Sequence, residues 1–231
     1  MLAQAKAAGR MDIQVDLATV ELLCSRLCHD MVGPVGAATN GIELLREVSA
    51  GQHDDIIDMT DTSARTAWRR LEFFRVAFGS AGGRGGWGTN ELAQLARNML
   101  RDSKVRLDWQ AATAVTELEG RGGKLVLNLV LLLAEAMPRG GDLRVRLEEQ
   151  GNSVTATLTG RGQNAALNPR IAATVQGLVP PGELDSRVIL AHLAWLQSRD
   201  AAAQTVWTPG ENTVAATVAM PRLAAPAAAA E

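Results

Sequence analysis

Between Val20 and Val48 the residues Val20, Cys24, Leu27, Met31, Val35, Ala38, Ile42, Leu45 and Val48 recur at steps of three and four. That spacing lays an apolar stripe along one α-helix of about nine turns, and little else accommodates it. Asp16 is placed to cap its N-terminus. A second stripe follows the short stretch 49–55, made of Ile56, Thr60, Ala64 or Ala67, Leu71, Phe74 and Phe78. Two long helices joined by a short turn predict an antiparallel hairpin. Such a hairpin cannot bury both stripes within itself. The simplest cover is a second copy, which gives a four-helix bundle about a two-fold axis, so a homodimer is expected.

Six of the ten residues from Gly79 to Gly88 are glycine, which marks a linker. Beyond it the pattern changes. A helix opens at Thr89 and runs to about Arg101, and Arg106 to Gln110 fits a strand. Gly123 to Ala136 fits a buried helix closed by Pro138 and Gly140-Gly141. Asp142 to Glu149 and Ser153 to Thr159 alternate as a strand hairpin, Leu184 to Arg199 is a further helix, and 205–208 pairs with 213–220. That order predicts a two-layer α/β sandwich. The chain is therefore expected to be α+β, with a hairpin domain over 14–80, a sandwich over 89–223, and disordered ends at 1–13 and 224–231.

Charge is almost balanced, at 23 basic against 25 acidic residues. This gives no reason to expect nucleic acid or an anionic membrane as a partner. The longest apolar run, Leu129 to Ala134, is far short of the ~20 residues that span a bilayer. Residues 1–13 lack the apolar stretch of a signal peptide. A soluble, cytoplasmic protein is expected.

The face of the first helix opposite its stripe holds Leu22, Arg26, His29, Gly33, Gly36, Asn40, Glu43 and Glu47. Two glycines one and two turns after His29, with Pro34 between them, are costly in a helix interior. Small residues beside an exposed histidine would let another protein's backbone approach it. Imidazole is nucleophilic near neutral pH. Held in one tautomer and in line with phosphorus, it can take a phosphoryl group from an acyl phosphate. Asp30 is placed to hydrogen-bond the other ring nitrogen. Arg26, Gly33, Gly36, Asn40 and Glu43 would border the docking surface.

The remaining candidates read as structural. Cys24, Cys28 and His29 do not make a metal site, because His29 points away from the stripe holding Cys24 and no fourth ligand is evident. Buried packing is expected for the cysteines, which lie one turn apart and do not suit a disulfide. His53 belongs to the turn and His192 to an apolar helix. Core packing is expected for Trp68, Trp87, Trp109, Trp195 and Trp207, and a plain turn for Gly160-x-Gly162. Arg75 would either bind phosphate or cap the second helix.

His29-Asp30-Met31-Val32-Gly33-Pro34 resembles the H box of sensor histidine kinases, with His, an acidic residue and a proline at that spacing. Together with Leu71 to Gly79 (LEFFRVAFG) it resembles the ChpT-type histidine phosphotransferases of alphaproteobacteria. The resemblance spans most of 16–220 and is strongest in the hairpin. It implies a dimeric phosphotransfer hairpin and a degenerate kinase ATPase domain. It also implies transfer between receiver domains of a hybrid kinase and of response regulators, with Mg²⁺ supplied by the receiver. Such a kinase domain needs a magnesium-holding asparagine, an Asp-x-Gly-x-Gly turn and a glycine-rich lid. Here Leu131 to Ala136 stands at the first, with Asn128 about a turn too early, Leu158 replaces the aspartate, and Pro180 to Glu183 stands before Arg187. Neither ATP nor any other cofactor is expected. The rival readings are an ATP-using kinase core and a non-catalytic dimeric scaffold.

Overall fold

A computed structural model describes residues 13–48, 53–80 and 85–222. The expected disordered ends, most of the turn between the first two helices and the centre of the glycine linker lie outside the described residues.

Helix α1 (Leu17–Glu47) runs unbroken through Pro34, and Asp16 caps it, its Oδ1 accepting from the Thr19 amide at 2.8 Å. Helix α2 (His53–Ala77) packs along it. The helices approach closely at buried Gly41, where an added Cβ would collide with Thr60 Oγ1, itself donating to the Ile56 carbonyl at 2.7 Å. Overpacking here has nowhere to go. Gly41→Leu is expected to cost about 1–3 kcal/mol in chemical denaturation. Gly41→Ala should be no better than neutral alone, but stabilising once Thr60→Ala removes the obstruction and the ~1 kcal/mol helix-propensity gain is realised.

The stripes are only partly covered. Leu27, Met31, Ala38 and Leu45 are half-buried, while Val20, Val35 and Ile42 are exposed. On α2 the buried alternative is Ala67, Ala64 being exposed, and Leu71 is exposed. Two expectations fail for the same reason. Trp68 is 63% exposed, and Cys24 and Cys28 are exposed instead of packed. A lone hairpin has one covered side, and these residues lie off it.

The far end of α2 enters a different environment. Phe73, Phe74, Val76 and Ala77 are buried in one cluster with α3 (Thr89–Leu100) and α4 (Gly120–Glu135). Gln197 Nε2 donates to the Ala77 carbonyl at 2.8 Å, and Lys124 Nζ to that of Gly79 at 2.6 Å. The hairpin thus ends inside the core of the second region.

That region is the expected two-layer sandwich. Five strands run in the order β2 (Val105–Ala111), β4 (Gly141–Gln150), β5 (Ser153–Arg161), β7 (Thr213–Pro221), β6 (Gln204–Gly210). β2 and β4 are parallel, joined through α4, and the other pairs are antiparallel. Alternation sends Leu143, Val145, Leu147, Val154, Ala156 and Leu158 inward beneath α4, with Arg144, Arg146 and Glu148 outward. α4 carries buried side chains on all sides, as the run Leu125 to Leu133 requires.

Three details depart from expectation. Gly86–Gly88 is not linker but a short strand, β1, paired with β3 (Glu117–Glu119) around Trp87 opposite Leu118. A short helix, α5 (Pro169–Thr174), was not foreseen. Helix α6 begins at Ile189, five residues later than expected (Ile189–Asp200), because Asp185 Oδ1 accepts from the Arg187 and Val188 amides and holds a turn there. Among the described residues no helix is long and apolar enough to cross a membrane.

Candidate functional site

His29 lies midway along α1 with its side chain 85% exposed. The next side chain, Asp30, is only 18% exposed. Its two carboxylate oxygens are divided between two partners. Oδ1 faces His29 Nδ1 at 3.3 Å, and Oδ2 accepts from Arg26 Nε at 3.0 Å. Arg26 in turn reaches across to α4, where its Nη2 donates to Glu135 Oε1. Burial opposes the Arg26 charge, yet Glu135 and Asp30 outweigh it and hold the guanidinium above its ordinary range. Burial also pushes the Glu135 carboxyl upward, against the pull of Arg26.

Pro34 explains a further contact. Having no N–H, it leaves the Asp30 carbonyl, four residues earlier, without its helical partner. Arg70 Nη1, from α2, donates to that carbonyl. The proline therefore does not break the helix; it frees an acceptor that ties α1 to α2 beneath His29. Arg70→Met would strand the carbonyl, at an expected cost of about 1–3 kcal/mol. In a Pro34→Ala background the restored N–H can take the same carbonyl, so the cost should shrink. A double-mutant cycle in urea measures this, and strict additivity would refute the account.

The other expected site residues divide. Gly33, Asn40 and Glu43 are exposed, and nothing lies within 4 Å of a Cβ added at Gly33 or Gly36. No contact among the described residues explains those glycines. Arg26 departs from expectation. It does not border an open docking face but is drawn inward, 19% exposed, between Asp30 and Glu135, because its long side chain reaches charges that helical periodicity does not register.

At the kinase-like positions, Leu131, Leu132 and Leu133 of the run Leu131 to Ala136, and Leu158, are buried in the apolar core. Asn128 is fully buried, its Nδ2 donating to the Leu190 carbonyl at 3.1 Å and to Gln197 Oε1 at 2.9 Å. Gly160 and Gly162 are not a free turn. Gly160 is the last inward-facing residue of β5, against Met137, and a Cβ on Gly162 would strike the Gly140 carbonyl. Among the described residues no group of three or more His, Cys, Asp or Glu side chains is placed to hold a metal ion.

The remaining singled-out residues sit at helix ends and in the core. His53 Nε2 lies 3.2 Å from the Val48 carbonyl across the turn. His192 is buried against Trp195, and burial lowers its pKa. Trp87, Trp109 and Trp207 pack on the core with buried indole nitrogens that have no partner among the described residues. Arg75 is exposed in the last turn of α2, where a cation suits the helix dipole.

The profile for the histidine phosphotransferase C-terminal domain matches residues 89–213. The protein phosphotransferase ChpT of Brucella abortus (strain 2308) is 34% identical over 195 residues, 83% of this chain and 91% of that protein. The chain belongs to the ChpT-type histidine phosphotransferases. A solved structure described as a bacterial phosphotransferase, at 1.7 Å, is 30% identical, with a TM-score of 0.77 over 91% of this chain and all of that one.

Two residues of this histidine phosphotransferase escaped sequence reasoning, Arg70 and Glu135. For Arg70 a signal existed. A proline inside a helix announces an orphaned carbonyl four residues back, and a donor should be sought for it. For Glu135 there was none. It contacts Arg26 across 109 positions, a pairing that only the docking of hairpin on sandwich creates.

Proposed function

We propose that the protein relays phosphoryl groups between receiver-domain aspartates, with His29 as the carrier, as a cytoplasmic homodimer. The observation that carries this reading is the division of the imidazole. Nδ1 is turned to Asp30 Oδ1, a carboxylate oxygen that accepts a hydrogen bond from Nδ1–H, and the ring is otherwise open to solvent, so Nε2 presents a lone pair outward. Nε2 attacks the phosphorus of an aspartyl phosphate. The bond from phosphorus to the carboxylate oxygen breaks, and its electrons return to the carboxylate. The ring, now bonded to phosphorus and still carrying its Nδ1 proton, is positive, and the Asp30 carboxylate stabilises that charge. Attack by a second aspartate reverses the sequence.

Gly33 and Gly36 let the receiver backbone approach, and Asn40 and Glu43 border the contact. Magnesium comes with the receiver's acidic pocket, so no cofactor is needed here. The exposed apolar residues Val20, Val35, Ile42, Trp68 and Leu71 favour a second hairpin as their cover. Burial of Leu131 to Leu133 and of Leu158 at the kinase-like positions speaks for a carrier that does not draw on ATP.

The test incubates the protein with a phosphorylated receiver and, separately, with labelled ATP. Label should pass from the receiver to His29 and not from ATP. Robust labelling by ATP alone would replace the relay with a kinase.

A further inference from the structure

The sandwich domain touches the hairpin close to His29, and the contact is polar. Glu135, the last residue of α4, accepts from Arg26 Nη2; Arg26 Nε donates to Asp30 Oδ2 at 3.0 Å; Asp30 Oδ1 faces His29 Nδ1 at 3.3 Å. Glu135, Arg26 and Asp30, with Arg70 and Lys104, line one cleft between the two domains. The geometry points to Glu135 and Arg26 as positioning residues, through which the second domain sets the orientation and tautomer of the His29 imidazole. The bearing of this on catalysis rests on the relay reading above.

Three features make the chain of contacts directional. First, every link is held at both ends. Arg26 uses two different nitrogens for its two carboxylates, a fork that a lysine cannot reproduce. Second, Asp30 has little freedom left. Its Oδ2 is taken by Arg26 and its backbone carbonyl by Arg70, so Oδ1 is the oxygen that remains for the imidazole. Third, the charges compensate. Among the described residues Arg26 alone serves both Asp30 and Glu135, so loss of Glu135 leaves the guanidinium free to follow Asp30 toward solvent. His29 has no hydrogen-bonding partner besides Asp30 among the described residues, so its ring inherits whatever Asp30 does.

The coupling is read directly from the ring nitrogens of His29 in full-length, ¹⁵N-labelled, unphosphorylated protein. In the wild type the Nδ1–H tautomer should dominate. Glu135→Ala and Arg26→Met should both move the population toward Nε2–H, and Arg26→Lys should resemble Arg26→Met. Glu135→Gln keeps the side chain's shape and can still accept from Arg26, so it should fall between Glu135→Ala and the wild type. Circular dichroism and thermal melting confirm that each variant is folded. Transfer from a phosphorylated receiver should slow about tenfold in Glu135→Ala, the scale on which small losses of alignment act. Tautomer populations unchanged from the wild type in folded Glu135→Ala and Arg26→Met would overturn the coupling. Failure of the wild type to take label from any receiver would instead sink the relay reading, while the tautomer measurement still decides whether the second domain orients the ring.

Discussion

Replacing His29 with alanine should abolish phosphoryl acceptance and leave the fold intact. The chemistry has no substitute for the residue. In the proposed relay the phosphoryl group is bonded to its ring nitrogen between donor and acceptor, so without the ring there is no carrier, and the loss should be complete and not partial. The structural cost should be slight. The side chain is 85% exposed, and its one hydrogen-bonding contact among the described residues is at 3.3 Å to Asp30. Asp30 keeps Arg26 when the ring is gone. Alanine is also the better helix former, so stability should change by no more than about 0.5 kcal/mol. Label transfer from a phosphorylated receiver, with a thermal melt of the same sample, reads both halves. Equal label on wild type and His29→Ala would remove His29 from the mechanism. A large drop in melting temperature would show that it also serves the fold.

Phe73→Ala should bring the largest loss of stability, about 3–5 kcal/mol. Phe73 is wholly buried, edge-on to Phe74 at 6.2 Å and to Phe78 at 6.4 Å between ring centroids. Its position matters as much as its size. It belongs to α2, yet its cluster is shared with α3, α4 and the sheet. Truncation opens a cavity at the joint between hairpin and sandwich, where neither side can close without moving the other. The loss should appear in urea denaturation as a lower midpoint. A change under about 1 kcal/mol would mean that the joint is soft enough to collapse around the gap.

The same joint separates what the residues announced from what they concealed. The hairpin was legible because its signals are local. A stripe repeating every three to four residues, a capping Asp16 and a short turn need no knowledge of the rest of the chain. β4 and β5 were legible for the same reason, with alternating side chains and a turn at Gly151-Asn152. So was the exposed position of His29, which lies on the face of α1 opposite the stripe. Glu117–Glu119 was missed because three residues carry no period, and it exists as a strand only by pairing with Gly86–Gly88.

Periodicity says which residues share a face, but not which face is covered, or by what. That is why Trp68, Cys24 and Cys28 were assigned to an interior and are found outside it. Arg26 was assigned to the outside and is drawn in, because a guanidinium at the end of a long flexible stem goes to the nearest carboxylates, wherever its Cα points. The exposure of His29 was determined by the sequence alone, since it follows from the place of the residue on the helix, and the nucleophile role proposed for it rests on the chemistry of imidazole. The hold on it was decided only by the tertiary structure. The Asp30 carbonyl released by Pro34 found Arg70 across the hairpin, and Arg26 found Glu135 across 109 residues. Contacts between elements that distant depend on how the elements dock, which the spacing of residues along either one does not contain.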